Sequence, residues 1–261
     1  MKKYIPALGF LFFLLIGCEH ENPEEGTESL NTEINFYPVE IYEGNSQGIP
    51  SLKLRLITEK EFPCYNYGII SSQSIKENQL VIKIEGISKS VICATAIGPA
   101  ASIFDLPENI TGLKIISGNT IDLYEVNITE KIIEFNTIKS NFTNPRFERT
   151  FRYPENTFAV TCGTNLEDTE ICQEFNDYLT DNLDVEEFFF EGEGRIPYPD
   201  SSSGHWNNSA SRFYRYQSQD ELVEAAQLLE TFTRENIEPD KGNSISIRSW
   251  DNQFFYSWGY D

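Results

Sequence analysis

The stretch QLVIKIEGI, residues 79–87, alternates along its length: Leu80, Ile82 and Ile84 fall on one side of an extended chain, and Val81, Lys83 and Glu85 on the other. A period of two is the signature of a strand with one buried face, and no helical period runs through it. The pattern spreads outward from there. SLKLRLI (51–57) alternates at Leu52, Leu54 and Leu56. NFYPVEI (35–41), VICATAI (91–97), GLKIISG (112–118) and IDLYEVNI (121–128) are further short runs of β-formers, with Gly, Pro, Asn and Ser at the breaks. About seven strands in about a hundred residues predict a two-sheet sandwich of immunoglobulin-like type; it is expected to span residues 33–140.

A polar connection from Asn136 to Asn156, with Pro145 and Pro154, separates this half from a mixed one. TFAVTC (157–162) reads as a strand and TNLEDTEICQEFNDYLTDN (164–182) as a helix opened by the capping pair Thr164 and Glu167. VEEFFFEGEGRI (185–196) is a second strand, and a loop rich in Pro, Ser, Gly and Asn follows from Pro197 to Ala210. The plan then repeats: strand SRFYRY (211–216), helix SQDELVEAAQLLETFTREN (218–236) capped by Ser218 and Glu221, strand NSISIRSW (243–250), and a last strand QFFYSW (253–258). Two strand-helix-strand units predict an α+β domain of ferredoxin-like type over residues 150–261.

The chain carries 41 acids against 20 bases, a formal charge of −21. Nucleic-acid binding needs clustered Lys and Arg, so that class is excluded, and recognition of anionic lipid headgroups goes with it. Five cysteines are present. Cys64 and Cys93 fall in the first half and Cys162 and Cys172 in the second, an even number that reads as two disulfides in an exported protein. Four cysteines allow three pairings, and pairing within each half is the expected one. The spacings are too long for a CxxC or Cys/His zinc site, and no cofactor or metal is expected.

The fifth cysteine, Cys18, ends the chain's one long apolar run, in LLIGCEHENPEEG (14–26). Lys2 and Lys3 followed by the apolar segment Tyr4 to Ile16 read as a secretory signal, residues 1–17, too short to span about 30 Å of hydrocarbon. Leu15, Ile16, Gly17 and Cys18 match the leucine-aliphatic-small-cysteine box and so resemble the bacterial lipoproteins, which implies lipidation of Cys18 and removal of residues 1–17. The mature charge then becomes −23. Six glutamates and no Lys or Arg lie between positions 19 and 33, so residues 18–32 are expected to form a flexible acidic tether. An acidic tether behind the lipid cysteine resembles that of Bacteroidota-type surface lipoproteins. The resemblance implies an outer-membrane protein, held at the membrane by its lipid and displayed on the cell surface.

No chemistry is identified by motif. The folded part has one histidine, His205, in the loop SSSGHWNN (201–208), and no G-x-S-x-G elbow, P-loop, dinucleotide fingerprint or H-E-x-x-H accompanies it. Twelve acids and no base lie between Tyr153 and Gly194, yet Glu170, Glu174, Asp177 and Asp181 share the polar face of a predicted helix and no calcium loop is present. Aromatic residues are concentrated at the C-terminal end. Trp206, Asn207, Asn208, Tyr214, Tyr216 and Trp250 are the candidate ligand contacts, with Tyr256, Trp258, Asp251 and Asn252 nearby in sequence. Flat rings beside amides and carboxylates suit sugar faces and protein hot spots. The sequence thus points to a non-enzymatic module that binds a glycan or a protein; a carboxylate-dependent hydrolase of surface polysaccharide and a structural envelope component are the alternatives. Phe254, Tyr256 and Trp258 alternate with Phe255 and Ser257, so one of the two sets must face a core.

Overall fold

The computed structural model describes residues 27–44, 47–89, 93, 96–165, 170–198, 207–238 and 242–257. The signal segment, Cys18, Glu167, His205, Trp206 and Trp258 lie outside them. Strands β1 (Thr27–Glu28), β2 (Ile34–Ile41), β3 (Ser51–Phe62), β4 (Gly68–Lys76), β5 (Gln79–Ser88), β6 (Gly98–Asp105), β7 (Gly112–Ser117), β8 (Thr120–Ile128), β9 (Ile132–Lys139), β10 (Thr143–Pro145) and β11 (Arg149–Phe151) form one continuous sheet. Its order is β10-β2-β3-β6-β4-β5-β7-β8-β9-β11, with β1 beside the end of β5. Most pairs are antiparallel; β5 with β7, β4 with β6 and β10 with β2 are parallel.

The alternation read in the sequence fixes which side chains line the inside. Leu54 and Leu56 of β3, Leu80 and Ile82 of β5, Leu113 and Ile115 of β7 and Phe135 of β9 are all buried in a single core. The sheet curls so far that its two halves meet across this core: the Phe36 ring of β2 lies 4.8 Å from that of Tyr124 and 5.2 Å from that of Phe135. The sheet has one thin joint, where β4 and β6 pair only at Gly68 and Ala101. A Cβ at Gly68 would lie 2.9 Å from the Ser88 hydroxyl on β5, which would have to shift to admit it.

The polar segment 143–151 joins the two ends of the curl, because β10 lies on β2 and β11 on β9. Asp122, fully buried on β8, holds the start of this seam. Its carboxylate accepts from the backbone N–H groups of Asn141 (2.7 Å), Phe142 (3.0 Å) and Thr143 (2.7 Å), from the Asn141 amide (2.7 Å) and from the Thr143 hydroxyl (2.8 Å). Tyr124, two residues along the same face, donates its hydroxyl to the Thr143 carbonyl.

The second sheet is small: β12 (Thr157–Thr164), β13 (Glu186–Phe188), β14 (Asn207–Asn208), β15 (Arg212–Arg215), β16 (Asn243–Ser249) and β17 (Phe254–Tyr256), ordered β13-β15-β12-β16-β17 with β14 against β12. Helices α1 (Glu170–Asn182) and α2 (Gln219–Asn236) cover one of its faces through Phe175, Leu179, Leu222, Ala225, Leu229 and Phe232. Ser218 caps α2 by accepting from the Glu221 N–H at 3.4 Å, and the Glu221 carboxylate reaches back to the Gln217 N–H at 2.8 Å. The other face is covered too, by Tyr153 and a strap carrying Phe188, Phe190, Ile196 and Tyr198.

Two expectations are corrected here. The immunoglobulin-like sandwich over residues 33–140 gives way to one curled, mixed sheet, a half-barrel whose parallel pairs and seam at 143–151 take in much of the expected connection. The ferredoxin-like α+β domain over residues 150–261 is not present either: the chain is mostly β, and its small six-stranded sheet is buried on both faces and joined to the large one. Short alternating runs specify strands but not their partners. The body also begins earlier than expected. Thr27 and Glu28, placed by sequence in the tether, pair with Ser88 and Ile87, and Leu30 packs on the core.

Cys64 is bonded to Cys93 and Cys162 to Cys172, so each bridge closes within its own half of the chain. Disulfides persist in oxidising compartments, which makes this an extracytoplasmic protein. No helix among the described residues is long and apolar enough to cross a membrane.

Burial alone would raise the Asp122 carboxyl, but the Phe142 amide and the Asn141 and Thr143 groups outweigh it and hold the pKa below the usual range. A depressed folded pKa gives stability that is present above about pH 4, the unfolded value, and is lost as pH falls through the folded value. Asp122→Asn is therefore expected to lower unfolding stability at pH 7 by about 3 kcal/mol. The gap between wild type and variant should narrow in denaturation curves taken at successively lower pH.

Candidate functional site

A broad concavity lies where the β2 end of the large sheet meets the β16–β17 hairpin of the small one, a cleft of about 800 Å³. Glu40, Tyr42 and Gln47 line it on one side, Arg248, Phe254 and Tyr256 on the other. A smaller cavity of about 200 Å³, bounded by Pro38, Tyr153, Arg195 and Tyr198, shares Glu40 and Tyr42 with it.

The walls are set by backbone geometry and by bonds between the sheets. In β17 the side chains alternate: Phe255 packs against the helix-side core, while Phe254 and Tyr256 face the other way and remain 39 % and 46 % exposed. Their rings lie parallel, 10° apart in tilt with centroids 5.7 Å apart. β16 pairs Arg248 with Phe254, which brings the guanidinium carbon to 4.2 Å from the Phe254 centroid. Tyr198 lies at 4.5 Å and Tyr42 at 5.1 Å, so planar groups surround the cation on three sides. The turn between the strands places Asn252 at φ +72°, in the left-handed region that Asn tolerates better than most residues. There its side-chain oxygen accepts from Arg248 at 2.9 Å.

The wall residues are held across the joint. Tyr42 donates its hydroxyl to the Trp250 carbonyl, the Gly48 N–H donates to the Asp251 carbonyl at 3.0 Å, and the Gln47 amide donates to the Asp251 carboxylate at 2.5 Å. Glu40 accepts from Arg152 at 3.0 Å and from the Tyr153 N–H at 2.8 Å. Asp251 also accepts from the Ser249 hydroxyl. Glu40, which lines the cleft, and Asp251, in the adjoining turn, thus both serve as acceptors within the protein. Burial pushes the Tyr42 and Tyr198 hydroxyls well above the tyrosine range, with Glu40 adding to the rise and Arg248 opposing it. Both rings are therefore neutral walls at physiological pH. Among the described residues no group of three His, Cys, Asp or Glu side chains is placed to hold a metal ion.

The candidates from sequence scatter. Trp206 and His205 lie outside the described residues. Asn207 and Asn208 belong to β14, against the far end of β12 at Thr164 and Gly163. Tyr214 and Tyr216 are 0 % and 6 % exposed, which corrects their reading as ligand contacts. Tyr214 donates to the Asn176 side-chain oxygen at 2.9 Å inside the helix-side core, and burial pushes its pKa up to about 12. Trp250, also read as a contact, donates its indole N–H to the Tyr216 hydroxyl at 2.9 Å and packs against both cores. The rings that do face open space, Phe254 and Tyr256, belong to the alternating set named in the sequence, while Arg248, Tyr42, Tyr198 and Glu40 carried no local signal.

Tyr214→Phe leaves the Asn176 oxygen without its donor and is expected to cost about 1–2 kcal/mol in urea unfolding while leaving ligand binding at the cleft unchanged. Comparison with protein-family models, with curated proteins and with solved structures returned no match.

Proposed function

We propose that the protein is an exported, lipid-anchored surface module that binds a glycan in the cleft between its two sheets. One observation carries this reading: two large parallel rings, Phe254 and Tyr256, remain open to solvent beside a concavity of about 800 Å³. An exposed ring pair is costly to leave in water and offers flat apolar area to the axial C–H face of a sugar, while the surrounding amides and hydroxyls orient its hydroxyl groups. Gln47, Asn252 and Gln253 supply such amides at the rim.

The anchor rests on the signal segment, the box ending at Cys18 and the acidic run behind it, and the disulfides agree with export. The outer membrane, with the body displayed on the cell surface, is the placement that the acidic run favours. Labelling cells with a clickable palmitate should mark the wild-type protein and leave Cys18→Ser unmarked; label on the variant would remove the anchor.

The binding site is tested by glycan-array screening of the purified protein, followed by calorimetric titration of whatever is retained. Phe254→Ala and Tyr256→Ala should each weaken that glycan by tenfold or more, about 1.4 kcal/mol. Thermal unfolding should shift by no more than a few degrees, since both rings stand at the surface outside either core. Unchanged affinity in both variants would falsify the site.

A further inference from the structure

We infer that the sugar recognised in this cleft is acidic, with its carboxylate received by Arg248; the inference rests on the glycan reading above. Arg248 is the one cation among the described residues lining the cleft. A guanidinium has five N–H donors in a flat fork. Here the one hydrogen bond it makes among the described residues goes to Asn252, and no carboxylate of the described residues forms an ion pair with it. Its Nε is buried without a hydrogen-bond partner. Among the described residues this arginine is left without a counter-charge, and the reason is local: Glu40 is engaged by Arg152 and the Tyr153 N–H, and Asp251 by Gln47 and Ser249.

The guanidinium carbon lies over the Tyr198 and Phe254 rings, with Tyr42 close by. Rings packed this closely keep water from the cation and leave its remaining N–H groups to a ligand, and a planar carboxylate can take two of them in parallel N–H···O bonds. Phe254 contacts the guanidinium and neighbours Tyr256, so the cation and the exposed rings belong to one wall of the cleft. A carboxylate on the sugar ring, as in a uronic acid, fits this pairing of flat apolar area with one cation. A neutral sugar would leave the guanidinium unmatched.

The test titrates the purified full-length protein with galacturonate and glucuronate oligosaccharides, with their methyl esters, and with a sulfated oligosaccharide of the same length. The acid form is expected to bind at least tenfold more tightly than its ester and more tightly than the sulfated sugar, with the preference falling as salt is raised. Arg248→Met should erase the preference, and Arg248→Lys, which keeps the charge without the fork, should reduce it. The wild-type comparison of acid with ester stands even if a variant unfolds. Equal affinity for acid and ester, tighter binding of the sulfated sugar, or a preference that survives in folded Arg248→Met each overturns the inference. If only a neutral glycan binds, and depends on Phe254 and Tyr256, the acidic assignment falls while the glycan reading stands; if no glycan binds at all, both fall.

Discussion

The structure turns on a single buried hydroxyl. Tyr153 sits just past the seam of the large sheet, with its backbone N–H on Glu40 of β2 and its side chain sunk under the small sheet. There its hydroxyl accepts from the Ala159 N–H at 2.9 Å and donates to the Arg248 carbonyl. Ala159 and Arg248 are register partners on β12 and β16, so one oxygen ties the central strand pair of the small sheet to the edge of the large one. Burial holds that hydroxyl protonated, well above its ordinary range, which keeps it a donor. An unmatched hydroxyl at such a depth would be costly, and the two sheets are thereby held in one relative position.

From this constraint the cleft follows. Fixing the Arg248 backbone fixes the register of β16, and that register sets Phe254 beside the guanidinium. The Arg152 guanidinium, next to Tyr153, joins Glu40 of β2 and Glu108 of the β6–β7 connection, so the base of the joint is ionic where its wall is aromatic. The wall is accordingly preorganised, and a ligand need not order it.

Much of the local structure could be read from the sequence because it depends on neighbours along the chain. Leu52, Leu54 and Leu56, and Leu80, Ile82 and Ile84, alternate because one face of each strand is dry. Ser218 and Glu221 marked the start of α2 because capping chemistry is local. What could not be read depends on distant partners. β10 and β11 are three residues each, too short for any period to appear, yet they join the two ends of the large sheet. In β12 and β15 the alternation is lost because both faces are covered: Phe158 and Ala159 are both buried, as are Phe213 and Tyr214. This is why Tyr214 and Tyr216 stood out as aromatic without being available. Arg248 gave no signal at all, since its environment is assembled from β2, the strap and β17.

The outermost strands of both sheets, β10, β11, β13 and β17, are three residues long. A long row of unpaired amides at a sheet edge is a template on which another chain can extend the ladder, the route to strand exchange and to fibrous association. At these four margins such a chain finds little to zip onto. Crowded copies therefore gain little from joining there.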